Sequence, residues 1–576
     1  MIRLPPKYAL PKSPIGLADA ALLFGLFLTF YVVAKVGVGF FVAFRPPNVL
    51  PGVSLDASNL PYYAVRSTMR MFIALAISVV FTLSYGYAAA KSKQAEKVLV
   101  PLLDVLQSVP VLGFLSVTVT GFIALFPGSL LGLECASIFA IFTGQAWNMT
   151  FSFYHSLITL PKELDDAAKV FRFSKWRRFV SIEVPAAMIG LVWNGMMSFG
   201  GGWFFVAASE AISVLNRQYT LPGIGSYVAK AVEAKDVHAL GLAILTMAVV
   251  IIVVDQLFWR PVVAWSEKFR MDKSAAANQA HSWLLDLLRA ARLPRTLNRY
   301  WRRIQARLPK WRLPHIPARL KIPIRIRLKL NGDLILGVVL GIVVVVAIYF
   351  GARFVTTEVL PSEIGFALWL GFLTLLRVTG LLIFSSLVWT PVGVAIGSNP
   401  RLARIAQPVV LLCASFPANF LFPAATILFL KLGLNINWGS MLLMALGAQW
   451  YILFNTIAGA MAVPNDLREM AANMRMGGWH RWQRLIIPSI FPAWVTGAVT
   501  ASGGAWNASI VAEVVTWGNK TLHANGLGSY IAKATEQGDW PRIVLGVTLM
   551  CIFVVGINRL VWRRLYSLAE TRYRLG

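Results

Sequence analysis

Residues 160–185 read LPKELDDAAKVFRFSKWRRFVSIEVP, and residues 463–488 read VPNDLREMAANMRMGGWHRWQRLIIP. A shift of 303 places Pro161, Leu164, Ala168, Arg172, Trp176, Arg178 and Pro185 on Pro464, Leu467, Ala471, Arg475, Trp479, Arg481 and Pro488. Identities at one constant offset mark a repeated structural unit. Each copy opens on a proline, whose missing amide donor costs nothing in the first helical turn. Asp165, Asp166 and Glu469 follow where the helix dipole favours acids. The predicted element is a short charged helix, too polar to span a bilayer, lying between long apolar runs.

The repeat extends well beyond this loop. The same offset carries Gly200, Gly201, Trp203 and Glu210 onto Gly503, Gly504, Trp506 and Glu513, and GIGSYVAKA from Gly223 onto GLGSYIAKA from Gly526. Upstream the offset becomes 307, matching Arg70 to Arg377, Gly86 to Gly393, Pro101 to Pro408, Ser108 to Ser415 and Pro110 to Pro417. A spanning helix needs ~20 mostly apolar residues, and roughly twelve such runs fit, six in each half. Because six is even, the second half enters the membrane as the first does. The fold class expected is therefore an all-α polytopic membrane protein, built from two parallel six-helix repeats. Residues 1–262 form the first membrane domain, 263–331 a basic, proline-interrupted linker, and 332–576 the second. A pseudo-twofold axis along the membrane normal places a solute path at the seam between the halves.

Composition supports the membrane class: 57% of the residues are hydrophobic and only 14% charged. Soluble domains carry roughly a quarter charged residues. The net charge of +29 does not indicate a nucleic-acid partner, because the basic residues fall between apolar runs instead of forming one stripe. Read as topology, Lys and Arg near residues 3–12, 91–97 and 162–178 and in the linker become cytoplasmic together, with both termini inside. The N-terminal apolar run reads as a retained first helix. The segment 281–293 suits the anionic inner leaflet, with a docking site for another subunit as the alternative reading of the linker. Cys135, Cys413 and Cys551 lack metal-ligand spacing and read as buried packing residues, and the scattered histidines form no metal set.

The two loops resemble the coupling-loop signature of ATP-binding-cassette importer permeases: Glu-Ala-Ala, three residues, Gly, nine residues, Ile-x-Leu-Pro. Asp166, Ala167, Ala168 and Pro185 fall on the pattern in one copy, and Glu469, Met470, Ala471 and Pro488 in the other. Asp166 replaces Glu, Met470 replaces Ala, and Arg172 and Arg475 stand where the pattern has Gly. Ser174, Trp176 and Trp479, with the segments from Trp203 to Glu210 and from Trp506 to Glu513, are similar to the nitrate, sulfonate, taurine and bicarbonate branch.

The resemblance covers both halves. It implies type I importer membrane domains in a prokaryotic inner membrane, two separate ATPase subunits docked on the loops, and an extracytoplasmic solute-binding protein. It also implies transport of a small anion. No Gly-x-x-x-x-Gly-Lys-Ser/Thr loop occurs in the chain. ATP and Mg then belong to the partner subunits, and the chain itself is a non-catalytic membrane component without a cofactor.

Ionisable and backbone-breaking residues within spans mark candidate pathway positions. The repeat-matched ones are Arg70 with Arg377, Glu210 with Glu513, Ser108 with Ser415, Pro110 with Pro417, and Trp203 with Trp506. The arginines and glutamates can equally pair within each half and fix helix positions. Two rival classes stand beside the importer. A self-sufficient carrier with parallel repeats shares the span count. A membrane-embedded enzyme would need an acid, base or metal cluster that no His, Cys or Glu spacing here supplies.

Overall fold

A computed structural model describes residues 17–37, 40, 52–214, 217–269, 282–291 and 332–573. The first half gives α1 (Leu17–Gly37), α2 (Leu60–Lys91), α3 (Lys93–Ser108), α4 (Leu115–Leu125), α5 (Leu131–Ile158), α6 (Lys162–Val170), α7 (Lys175–Arg178) and α8 (Val184–Glu210). A hairpin β1–β2 (Ala211–Val214, Arg217–Thr220) follows, then α9 (Ile224–Glu233), α10 (Val237–Val254), α11 (Arg260–Ser266) and α12 (Trp283–Ala290).

The second half repeats the order with α13 (Gly332–Glu358), α14 (Pro361–Gly397), α15 (Pro400–Ser415), α16 (Phe422–Leu432), α17 (Ile436–Met461), α18 (Asn465–Asn473), α19 (Gly478–Arg481) and α20 (Ile487–Ala512). It closes with a hairpin β3–β4 (Val514–Trp517, Lys520–His523), α21 (Leu527–Gln537), α22 (Trp540–Ile557) and α23 (Arg563–Arg572).

The chain forms two compact units. One comprises Met1–Lys35 and Val254–Val346. The other comprises Val36–Val253 and Ala347–Gly576, and holds the repeat-matched bundle of both halves. Within that bundle α2, α5 and α8 pack on one another, as do α14, α17 and α20. Its largest buried apolar cluster draws on both halves, from Val111 and Leu133 to Leu443, Trp506 and Leu549.

Eight helices among the described residues are long and apolar enough to cross a membrane, against the roughly twelve runs expected. Proline accounts for two of the differences. The third and ninth runs break where α3 stops at Ser108 and α15 at Ser415, and short 3-10 turns capped by Pro110 and Pro417 intervene before α4 and α16. The fourth run, α5, is long enough but diluted by Glu134, Gln145 and Asn148. The all-α membrane class stands. The two antiparallel hairpins, in register from Ala211↔Thr220 to Val214↔Arg217 and from Val514↔His523 to Trp517↔Lys520, were not expected from the sequence.

The coupling-type loops keep their turn without glycine. Arg172 and Arg475 both sit at φ 49°, in the left-handed region, just past α6 and α18. Phe173 N donates to Ala168 O at 2.9 Å, and Met476 N to Ala471 O at 2.9 Å, so each helix closes with the six-to-one bond of a Schellman end. A side chain in this conformation costs about 1–2 kcal/mol that glycine avoids, less glycine's greater entropy in the unfolded chain. Arg172→Gly and Arg475→Gly are therefore each expected to stabilise the protein by up to about 1 kcal/mol, read as a raised thermal midpoint. A lowered midpoint would show that guanidinium contacts outweigh backbone strain.

Cys135, Cys413 and Cys551 carry free thiols and are only partly buried, not the buried packing residues expected. Most of the linker, including its prolines, lies outside the described residues. Among its described residues, α12 is capped by Ser282, whose hydroxyl accepts from Leu285 N.

Candidate functional site

Each half buries an arginine-glutamate pair where the loop after its hairpin folds back. In the first half Arg70 Nη1 lies 2.6 Å from Glu210 Oε1. Glu210 also accepts from Ser67 Oγ at 2.6 Å and from Gly225 N at 2.7 Å, at the positive end of α9. In the second half Arg377 Nη1 lies 2.8 Å from Glu513 Oε1, which accepts from Thr374 Oγ1 at 2.8 Å, while Ser529 N donates to Oε2 at 3.1 Å. The glycines of the repeated GxGSY segment make this possible by close approach. A Cβ on Gly223 would strike the Glu210 carboxylate, and one on Gly225 would lie 2.6 Å from Ala207 O. Gly526 stands against Glu513 in the same way.

The two clusters differ in composition but not in net charge. Arg70 Nε also donates to Glu134 Oε2 at 2.6 Å, and Arg66 pairs with the same carboxylate. At the matching positions of the second half stand Leu373 and Asn437. Arg377 Nε donates to Asn437 O and Nη2 to Asn437 Oδ1, both at 3.0 Å. One cation and one anion have been exchanged together for neutral groups, as the cost of an uncompensated charge in a dry interior requires.

The two loop helices expose an acidic and apolar face. Ala168 and Ala471 anchor them by burial, at 3% and 1% exposure. Asp166, Val170, Phe171 and Trp176 are exposed on the first, and Glu469, Met470, Met474 and Trp479 on the second. Large apolar side chains left exposed on a polar loop are the kind of surface that partners cover. Arg172 and Arg475 are exposed beside it, and Pro185 and Pro488 are partly buried at the starts of α8 and α20.

The first loop is also tied into the bundle by ion pairs. Lys91 at the end of α2 pairs with Glu183, Arg178 Nε lies 2.8 Å from Glu183 Oε1, Arg178 reaches Asp165, and Lys169 lies 2.9 Å from Asp165. The Lys169 hydrogen bond, with the Arg178 charge behind it, holds the Asp165 carboxyl below its ordinary range. In the second loop Ser398, Ile486, Arg468 and Ala472 replace Lys91, Glu183, Asp165 and Lys169. There Arg468 Nη2 instead donates to Ala460 O at 2.6 Å.

A cavity of about 530 Å³ lies between the halves. α8 and α20 both line it, through Gly200 and Gly201 and through Gly503 and Gly504. α8 starts beside the first loop and spans roughly 40 Å at 1.5 Å per residue to Glu210 at its far end. Its lining residues run from Trp193 to Phe205, so the cavity lies on the loop side of the Arg70–Glu210 pair.

The break at Pro110 is closed by the other half: Val111 N donates to Asn507 Oδ1 at 2.9 Å. Packing there is tight, since a Cβ on Gly200 would lie 3.2 Å from Ser415 Cβ and closer to its Oγ. Gly200→Ala is expected to destabilise the chain by about 1–3 kcal/mol through overpacking, with Ser415→Ala restoring most of the loss. Thermal unfolding of the single and double variants checks it, and no rescue would place the strain elsewhere.

The candidate pathway residues are thus placed as follows. Arg70, Glu210 and Glu513 are fully buried in ion pairs and Arg377 is nearly so. Trp203 and Trp506 are buried packing groups, the first edge-on to Phe199 and the second stacked near Phe553. Pro110, Pro417 and Ser415 stand at the helix breaks, immediately beside the lining residues Val109, Val111, Phe416, Ala414 and Ala418. The side chain of Ser108 lies outside the described residues. None of the other nine is among the described residues lining the cavity.

Repeat identity found the glycines of the cavity wall, Gly200, Gly201, Gly503 and Gly504, but not its polar and aromatic side chains or the Arg66–Glu134 pair. The usable signal was the opposite one, polar or aromatic positions at which two well-aligned halves differ.

A family profile described as binding-protein-dependent transport system inner membrane component matches residues 81–258 and again 389–575, more than half of the chain. The bicarbonate transport system permease protein CmpB of Synechococcus elongatus is 25% identical over 204 residues, 34% of this chain and 70% of that protein. The nitrate import permease protein NrtB of the same organism is 25% identical over 174 residues, 30% of this chain and 58% of that protein. The osmoprotectant import permease protein OsmY of Salmonella typhimurium is 24% identical over 228 residues, 39% of this chain and 92% of that protein.

Proposed function

Given that the chain belongs to the family of binding-protein-dependent transport system inner membrane components, we propose that it is the membrane subunit of an ATP-driven importer, with both permease domains in one polypeptide. Residues 1–262 and 332–576 act as the two permease domains, joined by the linker 263–331. The loops around Asp166 and Glu469 each dock one ATPase subunit, which carries the ATP and Mg. Both loops and both termini face the cytoplasm of a bacterium or archaeon, and an extracytoplasmic binding protein delivers solute to the opposite face. The solute is a small anion of the nitrate, sulfonate, taurine or bicarbonate kind, the reading that the relatives' names support.

The observation that carries this reading is the paired loop helix. Twice, at equivalent places, a short helix anchored by a buried alanine leaves an acid and large apolar side chains exposed. ATPase closure at two such levers would move α5 and α8, and α17 and α20, whose ends the loops join. Those helices line the cavity, so the movement would reach the solute path.

Reconstitution tests the proposal. The purified chain is placed in liposomes with and without ATPase subunits recovered from its native membrane, and uptake of labelled taurine, nitrate and bicarbonate is followed. Uptake only with the ATPase and MgATP is expected. Uptake by the chain alone on an ion gradient would instead establish a self-sufficient carrier.

A further inference from the structure

Past Glu210 and Glu513, at the ends of α8 and α20 farthest from the loops, each half crosses onto the other. β1 packs on α21 as well as on its own α9, and β3 packs on α9 as well as on its own α21. The second hairpin turns through Gly518 and Asn519, between the paired Trp517 and Lys520. Gly518 takes a left-handed φ of 58°, as the first position of a tight two-residue hairpin turn demands.

The tip of that turn meets the end of α9. A helix leaves its last carbonyls without partners inside the helix. Gly518 N donates to one of them, Val232 O, at 3.0 Å across the seam. Lys235, itself at φ 57° just past α9, lies against the same turn. A Cβ on Gly518 would stand 2.8 Å from Lys235 Cγ and closer still to its Cε. Glycine at this tip thus serves both the turn and the contact.

The strong contacts on this side do not cross the seam. The buried pairs beside the hairpins, Arg70 with Glu210 and Arg377 with Glu513, each lie within one half. The tip is instead held by a backbone hydrogen bond near the surface, where Lys235 is exposed, and the net strength of such a bond against water is small. The cavity lies on the opposite side of those pairs. Its residues Val554, Asn558 and Trp562 sit at the end of α22 remote from α21 or just beyond it, and no described residue of either hairpin, of α9 or of α21 lines it.

We propose that the β3–β4 tip seated on the end of α9 is a latch, which closes the solute path on the hairpin face and parts from Val232 each time the path opens to that face. The two halves then move as rigid bodies, because their buried ion pairs are internal to each. This rests on reading the cavity as the importer's solute path, with the loops on the ATPase side.

A K235C/G518C pair tests it, in a full chain whose Cys135, Cys413 and Cys551 are changed to alanine and whose size-exclusion profile matches wild type. The two Cβ atoms lie within about 4.5 Å, the reach of a disulfide. Mild oxidation in liposomes with the ATPase subunits is expected to form the bridge, read as loss of both thiols to a maleimide mass tag. The bridge should cut MgATP-driven uptake of labelled taurine, nitrate and bicarbonate at least about tenfold, with recovery in dithiothreitol. Bridge formation should also slow at least about tenfold when a non-hydrolysable ATP analogue holds the ATPase subunits closed, because the tip has then left α9. That rate needs no solute, and it decides the case in which none of the three anions is carried or cysteine at 518 lowers uptake by itself. Failure of the bridge to form, equal rates with and without the analogue, or uptake that survives the bridge overturns the proposal. Uptake on an ion gradient without ATPase that the bridge still blocks would sink the importer reading and leave the latch standing.

Discussion

Replacing Asp166 and Glu469 together with arginine is expected to abolish copurification of the ATPase subunits and ATP-driven uptake, while the chain stays inserted and monodisperse. Both acids are exposed, so folding loses little: surface substitutions of this kind usually change stability by no more than about 0.5 kcal/mol. The Asp166 contact with Lys169, 3.0 Å long and mostly solvated, is of the type that contributes almost nothing. At a docked surface the same reversal places like charges where opposite ones met, which costs several kcal/mol per contact. Two such changes on two levers leave no intact lever. Copurification and uptake at wild-type levels would remove these residues from the coupling surface.

The second large effect concerns the buried charges. Arg66→Leu alone leaves Glu134 with one cation where it had two, and Glu134→Asn alone leaves Arg66 without its carboxylate. Each single variant is expected to lose about 3–5 kcal/mol, because a dry interior does not tolerate an uncompensated charge. The R66L/E134N double variant should recover to within roughly 1 kcal/mol of the parent, the remainder reflecting the lost stacking of Arg66 over the Phe40 ring. The second half already carries this combination, as Leu373 and Asn437 beside the retained Arg377–Glu513 pair. Thermal midpoints of the four proteins give the coupling directly. A double variant as unstable as the two losses added together would mean that the halves reached their compositions independently of charge balance.

Much of the molecule was legible in the order of residues. The offset of 303 from Pro161 to Ala534 fixes a duplication, and apolar runs between basic segments fix a membrane bundle. The loop sequence marked two helices that the structure places at Lys162–Val170 and Asn465–Asn473. Such features are local, or repeat along the chain, and need no knowledge of which helices touch.

Contacts between distant segments were a different matter. Arg70 and Glu210 are 140 residues apart, and nothing in either neighbourhood says that Glu134 joins them. The left-handed turn at Arg172 survives the loss of glycine because burial of Ala168 and the bond from Phe173 hold the helix end, a balance invisible in the residue type alone.

Identity between the repeats proved to record the scaffold both halves need: glycines beneath carboxylates, prolines at breaks and tryptophans in the core. By itself, then, the sequence determined the class, the duplication and the two loop helices, since these follow from hydrophobic length, charge placement and periodic identity. Only the tertiary structure decided which polar groups pair and which face a cavity, because burial belongs to the packed arrangement of helices and a residue acquires it only when its neighbours across the seam are in place.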